Sequence, residues 1–298
     1  MKIIITGSLG HISKPLTQEL VQKGHQVTVI SSKPEKQQEI EALGATAAIG
    51  SVEDVDFLTT TFTGADAVYT MVPPTNFFDP DFDLAAHCNI IGNNFAQAIS
   101  KSGVKRVVHL SSIGAHMEKD SGLILAHRGV EIILNNLADD VAITFMRPVG
   151  FYYNLLGFIP AIKNQGLISA NYGADELLAW VSPTDIAAAI VEEFETPLSG
   201  RKVRYVASDE LTGHETASIL GEAIGIPDLK WILVSDEERL RVLEAVGLNP
   251  KIAAGLVQMF SSQHDGSLME DYYRHKPALG KVKTTDFAQE FAAVYHQK

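Results

Sequence analysis

The sequence predicts an α/β protein: a doubly wound parallel sheet in the first half, with a smaller α/β lobe on the substrate side in the second. Three observations carry this. Ile3, Ile4 and Ile5 form an apolar, β-branched run too short for a helix, as suits a strand buried on both faces. Gly7 and Gly10 follow at once and lead into Leu16-Thr-Gln-Glu-Leu-Val21, apolar at helical spacing and stopped by Gly24. From there to Arg147, short apolar runs alternate with helical patterns, which requires crossovers between parallel strands.

Gln26–Ser31 reads as the second strand. Pro34 opens a helix where its missing N–H costs nothing, and the helix runs to Gly44. Ala45–Ile49 is the third strand, followed by a turn at Gly50–Asp54 and a helix through Thr61. Asp66–Val72 is the fourth, broken by Pro73 and Pro74. A long helix over Asp83–Ser102 precedes a fifth strand at Val104–Leu110; a helix over Gly122–Leu137 precedes a sixth at Val141–Arg147. Residues 1–150 therefore read as a Rossmann-type domain, and 151–298 as a smaller lobe packed on it, with parts of the sheet open to completion by this half. In that lobe, Ser182-Pro-Thr-Asp185 is an N-cap with proline in the first turn. Arg201–Ala207 is a strand. Thr212 with Glu215, and Ser235 with Glu238, have capping-box spacing, and Phe287, Phe291 and Tyr295 mark a last helix.

The totals exclude several functions. A chain of 298 residues, 46% hydrophobic and 20% charged, is an ordinary globular protein with room for a full core. Its net charge of −12 argues against a nucleic-acid backbone or an anionic membrane as a direct partner. Cys88 stands alone and cannot form an internal disulfide, and the start lacks a basic, apolar leader, so the cytoplasm is the expected location. No group of His, Cys, Asp and Glu has metal-ligand spacing, so no metal is expected.

A strand that runs through a glycine turn into a helix aims backbone N–H groups and the positive helix end at one point, which suits a pyrophosphate. Gly7, Ser8, Leu9, Gly10, His11 and Ile12 are the candidate cradle. After the second strand, an acidic residue would bind a ribose 2′-hydroxyl and repel a 2′-phosphate. Ser31, Ser32 and Lys33 stand there instead, so NADP(H) is expected in preference to NAD(H). Ser51, Val52, Met71, Val72 and Pro73 fall at C-terminal strand edges, where ligands of open α/β sheets lie. Phe77-Phe78, Phe151-Tyr152-Tyr153 and Trp180 offer an apolar lining beside the nicotinamide.

Thr6-Gly-Ser-Leu-Gly-His-Ile-Ser13 resembles the TGxxGxx(G/A/S) fingerprint of atypical and extended short-chain dehydrogenase/reductases. More narrowly, Val107-Val-His-Leu-Ser-Ser112, Phe145-Met-Arg-Pro148 with Phe151 and Asn154, and Val181-Ser-Pro-Thr-Asp185-Ile-Ala are similar to landmarks of the NmrA-like proteins, over nearly the whole chain. The resemblance implies that Ser111 and Pro148 border the cofactor and that Phe77, Phe151, Tyr152 and Asn154 face the substrate. The chain also resembles the bacterial type 2 NAD(P)H:quinone oxidoreductases. Their helix after the fifth strand also carries a His followed four residues later by Glu, as His127 and Glu131 do here.

Short-chain dehydrogenases that reduce ketones use a Tyr-xxx-Lys pair, the lysine lowering the tyrosine pKa. Aligned on Glu131, the tyrosine position is Leu123 and the lysine position is His127. The resemblance thus implies an NADP(H)-dependent reductase that hands hydride to a small electrophile such as a quinone, with His127 as candidate proton donor or ribose contact. The alternative is a redox sensor that binds NADP(H) without turnover and acts through a protein partner.

Overall fold

The computed structural model describes residues 1–297. The first half alternates β1 (Lys2–Ile5), α1 (Ser13–Gln22), β2 (Gln26–Ser31), α2 (Gln37–Ala42), β3 (Thr46–Ile49), α3 (Val55–Phe62), β4 (Ala67–Thr70), α4 (Leu84–Ser102), β5 (Arg106–Leu110), α5 (Ile124–Asn135) and β6 (Ala142–Pro148). The second half holds β7 (Gly150–Phe151), α6 (Ile159–Gln165), β8 (Leu167–Ala170), β9 (Leu177–Val181), α7 (Pro183–Glu195), β10 (Arg201–Val206), β11 (Asp209–Thr212), α8 (Gly213–Ile224), β12 (Lys230–Leu233), α9 (Asp236–Ala245), α10 (Pro250–His264), α11 (Glu270–Arg274) and α12 (Thr284–His296).

Seven strands form one sheet in the order β10-β6-β5-β4-β1-β2-β3, every pair parallel. The winding reverses between β1 and β4, so a crevice opens over the C-terminal ends of those two strands. One face of the sheet is covered by α1 and α7 and buries Ile3, Ile5, Leu16, Leu20, Tyr69 and Ile190; the other is covered by α3, α4 and α5 and buries Ile4, Phe62, Val68, Phe95, Val130 and Phe145. Each large aliphatic side chain so removed from water stabilises the fold by roughly 1.5–3 kcal/mol before conformational entropy is charged against it. Side chains cap most of the long helices, as Asp54 does for α3, Asp83 for α4, Ser182 for α7, Thr212 for α8, Ser235 for α9 and Asn249 for α10.

The structure departs from the sequence reading in specific places. The fourth strand ends at Thr70 rather than Val72, because the Met71 N–H leaves the ladder and donates to Thr6 Oγ1 at 3.0 Å. The helix expected from Pro34 to Gly44 is split into a 3₁₀ turn at Pro34–Lys36 and the short α2. The large sheet is not contained in the first half: β10 pairs with β6, and α7 of the second half covers the same face as α1. Strands β7, β8, β9, β11 and β12 were not legible in the sequence; they form a three-stranded sheet β11-β9-β7 and the pair β12-β8, around a lobe core of Tyr152, Trp180, Trp231 and Phe291.

Candidate functional site

The glycine turn is built by backbone geometry. Gly7 has φ +87° and Ser8 φ +54°. A Cβ on Gly7 would stand 2.5 Å from Met71 Sδ and 2.8 Å from Ser13 Oγ, so only glycine lets the turn lie this close to the end of β4. The Gly10 N–H donates to the Gly7 carbonyl at 3.1 Å, and the buried Ser13 hydroxyl donates to the Thr6 carbonyl at 2.9 Å. Helix α1 has no side-chain cap, and the N–H groups of Leu9, His11, Ile12 and Ser13 find no acceptor among the described residues. Free N–H groups converging at a helix start fit a dinucleotide pyrophosphate.

Beyond β2 the three candidate residues separate. Ser31 is buried, and its hydroxyl is used inside the protein: it accepts from Ser8 Oγ at 2.9 Å and from the Lys33 N–H at 3.2 Å. It holds the turn against β2 rather than reaching outward. Ser32 and Lys33 are exposed, and Lys33 has no ion-pair partner among the described residues. Lys36, by contrast, is held 2.7 Å from Glu39, which also takes Lys14. The next turn lies alongside, since the Gly50 N–H donates to the Ser31 carbonyl at 2.9 Å. There Ser51 accepts from the Glu53 N–H, and the Val52 carbonyl accepts from Asn94.

Leu9, Met71, Met117, Phe151 and Met259 are partly buried against the core cluster that includes α1 and α7, and Met71 lies against Gly7 itself. Tyr153 stacks between His11, at 4.7 Å, and Phe151, at 5.0 Å, both nearly parallel to it. The residue the sequence reading had assigned here, Tyr152, lies in the lobe core instead. It is fully buried, stacks on Phe287 at 5.2 Å and donates its hydroxyl to the Val282 carbonyl. Trp180 is likewise core, its indole N–H bonded to Thr216. Asn154 is exposed. Phe77 and the residues after Val72 and Pro73 lie on a strap fastened by Asn249, whose backbone N–H donates to the Phe77 carbonyl and whose side-chain amide reaches those of Asp79, Pro80 and Phe82 at 2.8–3.3 Å. Met117, Met259 and Asn249 escaped sequence reasoning, whereas Tyr153 was named there as one of three consecutive aromatics beside the nicotinamide.

A buried polar network links α5, β6, β10 and α11. Ser111 donates to Glu131 Oε1 at 2.5 Å, and Arg147 binds Glu131 through two parallel bonds, Nε to Oε1 at 2.9 Å and Nη2 to Oε2 at 2.7 Å. Arg147 Nη1 reaches Tyr205 and Asp271, and the Tyr205 hydroxyl donates to Asp271 at 2.5 Å. Burial opposes the Arg147 charge, but Glu131 more than offsets it and the guanidinium stays charged. The Ser111 hydroxyl is therefore committed to Glu131, and buried Pro148 gives its carbonyl to the Ile113 N–H; neither presents a free donor to a ligand. Leu123, at the head of α5, donates its N–H to the Gly255 carbonyl of α10 at 3.4 Å. His127 follows in the first turn of α5, with Nδ1 buried and unpartnered, and burial holds its pKa below the ordinary histidine range. Among the described residues, no group of three or more metal-ligating side chains occurs, and no helix is long and apolar enough to cross a membrane.

Residues 7–197 match the family described as NAD(P)H-binding. Two relatives extend the likeness to most of the chain. A (4-alkanoyl-5-oxo-2,5-dihydrofuran-3-yl)methyl phosphate reductase of Streptomyces griseus is 26% identical over 267 residues, 89% of this chain and 88% of that one. An NAD(P)H azoreductase of Xenophilus azovorans is 24% identical over 260 residues, 87% and 86%. Among solved structures, the NADPH-dependent quinone oxidoreductase of Escherichia coli complexed with NADPH superposes with a TM-score of 0.80 at 22% identity, covering 97% of this chain and 99% of that one. The Citrobacter sp. triphenylmethane reductase complexed with NADP(H) superposes with a TM-score of 0.76 at 20% identity, covering 97% and 100%. With its glycine turn at the switch point of the seven-stranded sheet, the chain belongs to the NAD(P)H-binding family.

Proposed function

We propose that the protein is an NADP(H)-dependent reductase of a quinone or a similar small, flat electrophile, working without a Tyr–Lys pair. The observation that carries this is the His11–Tyr153–Phe151 stack beside the glycine turn, a set of flat faces next to the place where a nicotinamide ring would lie. The relatives named for quinone, azo and dye reduction share a flat, conjugated acceptor, which agrees with such a surface. When bound, the cofactor supplies hydride. The chain does the rest: Gly7 to Ile12 hold the pyrophosphate, Ser32 and Lys33 favour the 2′-phosphate, and Leu9, Met71, Met117 and Met259 exclude water from the cleft. His127 is the proton donor on the α5 side.

The test is steady-state NADPH oxidation against a panel of quinones, run beside a binding titration of NADPH and NADH. Turnover with at least one quinone and tighter binding of NADPH are expected. Tight NADPH binding with no turnover across the panel would overturn the reading in favour of a redox sensor acting through a protein partner, which Leu123 in the tyrosine position also fits.

A further inference from the structure

The turns that follow β1, β2 and β3, three neighbouring parallel strands, meet at one buried residue, Ser31 at the end of β2. The glycine turn is fastened there by Ser8, whose N–H donates to the Ile30 carbonyl at 3.0 Å and whose hydroxyl donates to Ser31 Oγ at 2.9 Å. The turn after β2 is fastened by Lys33, whose N–H donates to the same oxygen at 3.2 Å. The turn after β3 is fastened by Gly50, whose N–H donates to the Ser31 carbonyl at 2.9 Å. Ser31 is only 2% exposed, and its own hydroxyl proton goes back to the Lys33 carbonyl at 3.4 Å. The one donor and two acceptor sites of this hydroxyl are all used, so it has nothing left for a ligand.

Both ends of this tie bear on cofactor choice. Ser8 has φ +54°, a left-handed conformation that glycine adopts freely and serine only at a cost. What serine adds over glycine at that position is a hydroxyl, and the hydroxyl is spent on Ser31. At the other end, the Lys33 backbone is held on both sides. Its N–H is bonded to Ser31, its carbonyl also accepts from the Lys36 N–H at 3.0 Å, and Pro34 fixes the next φ. Only its side chain is left to move, and that side chain is exposed with no ion-pair partner among the described residues. A lysine ammonium is a point charge on a flexible stem, so a fixed base reduces the freedom lost when it meets an anion. NADPH and NADH share the pyrophosphate and differ in the 2′-phosphate. A loosened glycine turn therefore costs both nucleotides alike, whereas a loosened Lys33 costs NADPH more.

We propose that Ser31, held by the Ser8 hydroxyl, is a positioning residue for cofactor choice: it fixes the base from which Lys33 reaches a 2′-phosphate. The proposal rests on the preference for NADP(H) and deepens it. Its test is a titration of the full chain with NADPH and with NADH, read as the ratio of the two dissociation constants, in a double-mutant cycle with Lys33. In Ser31→Ala and in Ser8→Gly the preference for NADPH should fall about fivefold, the worth of one net hydrogen bond. In a Lys33→Ala background the same substitutions should leave the ratio within about twofold, because the residue they act through is gone. Ser8→Gly loses the hydroxyl but relieves the left-handed strain, so its melting temperature should not drop, and it carries the test if Ser31→Ala does not fold. A loss shared equally by the two nucleotides, or the same fall in preference with and without Lys33, would overturn the proposal. A preference that Lys33→Ala abolishes but Ser31→Ala and Ser8→Gly leave intact would overturn the proposal alone. A wild type that binds both nucleotides equally would overturn the NADP(H) preference, and the proposal with it.

Discussion

Gly122 and Gly255 meet backbone to backbone: Gly122 has φ +56°, and a Cβ placed on it would run into the Gly255 carbonyl oxygen and stand 2.8 Å from the Met259 N. Helix α10 is thereby seated on the head of α5, against Leu123. Gly122→Ala should destabilise the protein by about 2–4 kcal/mol, from overpacking against backbone plus the left-handed conformation. Leu123→Tyr alone should not create carbonyl reduction, since α10 already fills the space. Denaturant melts check the first outcome, and NADPH oxidation with a ketone panel checks the second.

Glu131 and Arg147 are both buried and bonded through two parallel hydrogen bonds. Removing either partner leaves an uncompensated buried charge, so Glu131→Ala or Arg147→Ala should cost about 3–5 kcal/mol. The double substitution should cost much less than the sum of the two. A double-mutant cycle in urea measures this, and additive losses would refute the coupling.

His109 gives stability a pH dependence. Its folded pKa, about 3, lies below the ordinary value of 6.5, because burial disfavours the charged ring. Below pH 6.5 the unfolded chain takes up a proton that the folded one refuses, so the contribution is complete above pH 6.5 and is lost as pH falls toward 3. The slope from this residue approaches about 1.4 kcal/mol per pH unit. Urea midpoints between pH 7 and 5 should fall in the wild type and fall less steeply in His109→Gln. Burial also lowers His127 and His116, so some slope should remain in the variant.

Lys33 is exposed and has no ion-pair partner among the described residues, while Lys36 is tied to Glu39. Lys33→Ala should weaken NADPH binding about tenfold, equivalent to ~1.4 kcal/mol, and leave NADH nearly unchanged. Ser32→Asp should reverse the preference by repelling the 2′-phosphate. Fluorescence titration with both nucleotides decides it; equal losses for the two would argue against a 2′-phosphate contact.

Asn249 is buried and joins the 77–82 strap to the start of α10, its Oδ1 capping the Lys251 and Ile252 N–H groups. Asn249→Ala strands several carbonyls and should cost roughly 1–3 kcal/mol. Hydrogen exchange should quicken in residues 73–83 and in the first turn of α10, while β1 and β5 stay protected. Uniform loss of protection would mean that the clamp is not local.

Where local chemistry decides structure, the chain could be read. Strand β2 is legible to the residue because a β-branched run lies between Gly24 and Lys33, and α4 because Asp83 caps its start and Gly103 ends it. The lobe strands β8, β9, β11 and β12 were not legible: each has four or five residues and exists only through its partner. Neighbours of like type were also beyond reach. Tyr152 and Tyr153 are indistinguishable in sequence, yet a 3₁₀ turn sends one into the lobe core and the other onto His11. Ser31 and Ser32 differ only in which face of a strand end they leave by.

What the sequence by itself determined is the frame of the chemistry: a strand, Gly7, Gly10 and a helix that together suit a pyrophosphate, and Ser32 and Lys33 rather than an acidic residue directly after β2. These are properties of residue type at short range, and backbone preferences read them directly. Only the tertiary structure decided that Ser31 serves the turn while Ser32 and Lys33 face outward, that Ser111 belongs to Glu131, and that Tyr152 goes to the lobe core while Tyr153 stacks on His11. Those outcomes depend on which groups from distant segments arrive at the same point, and burial then forces each buried polar atom to find a partner there.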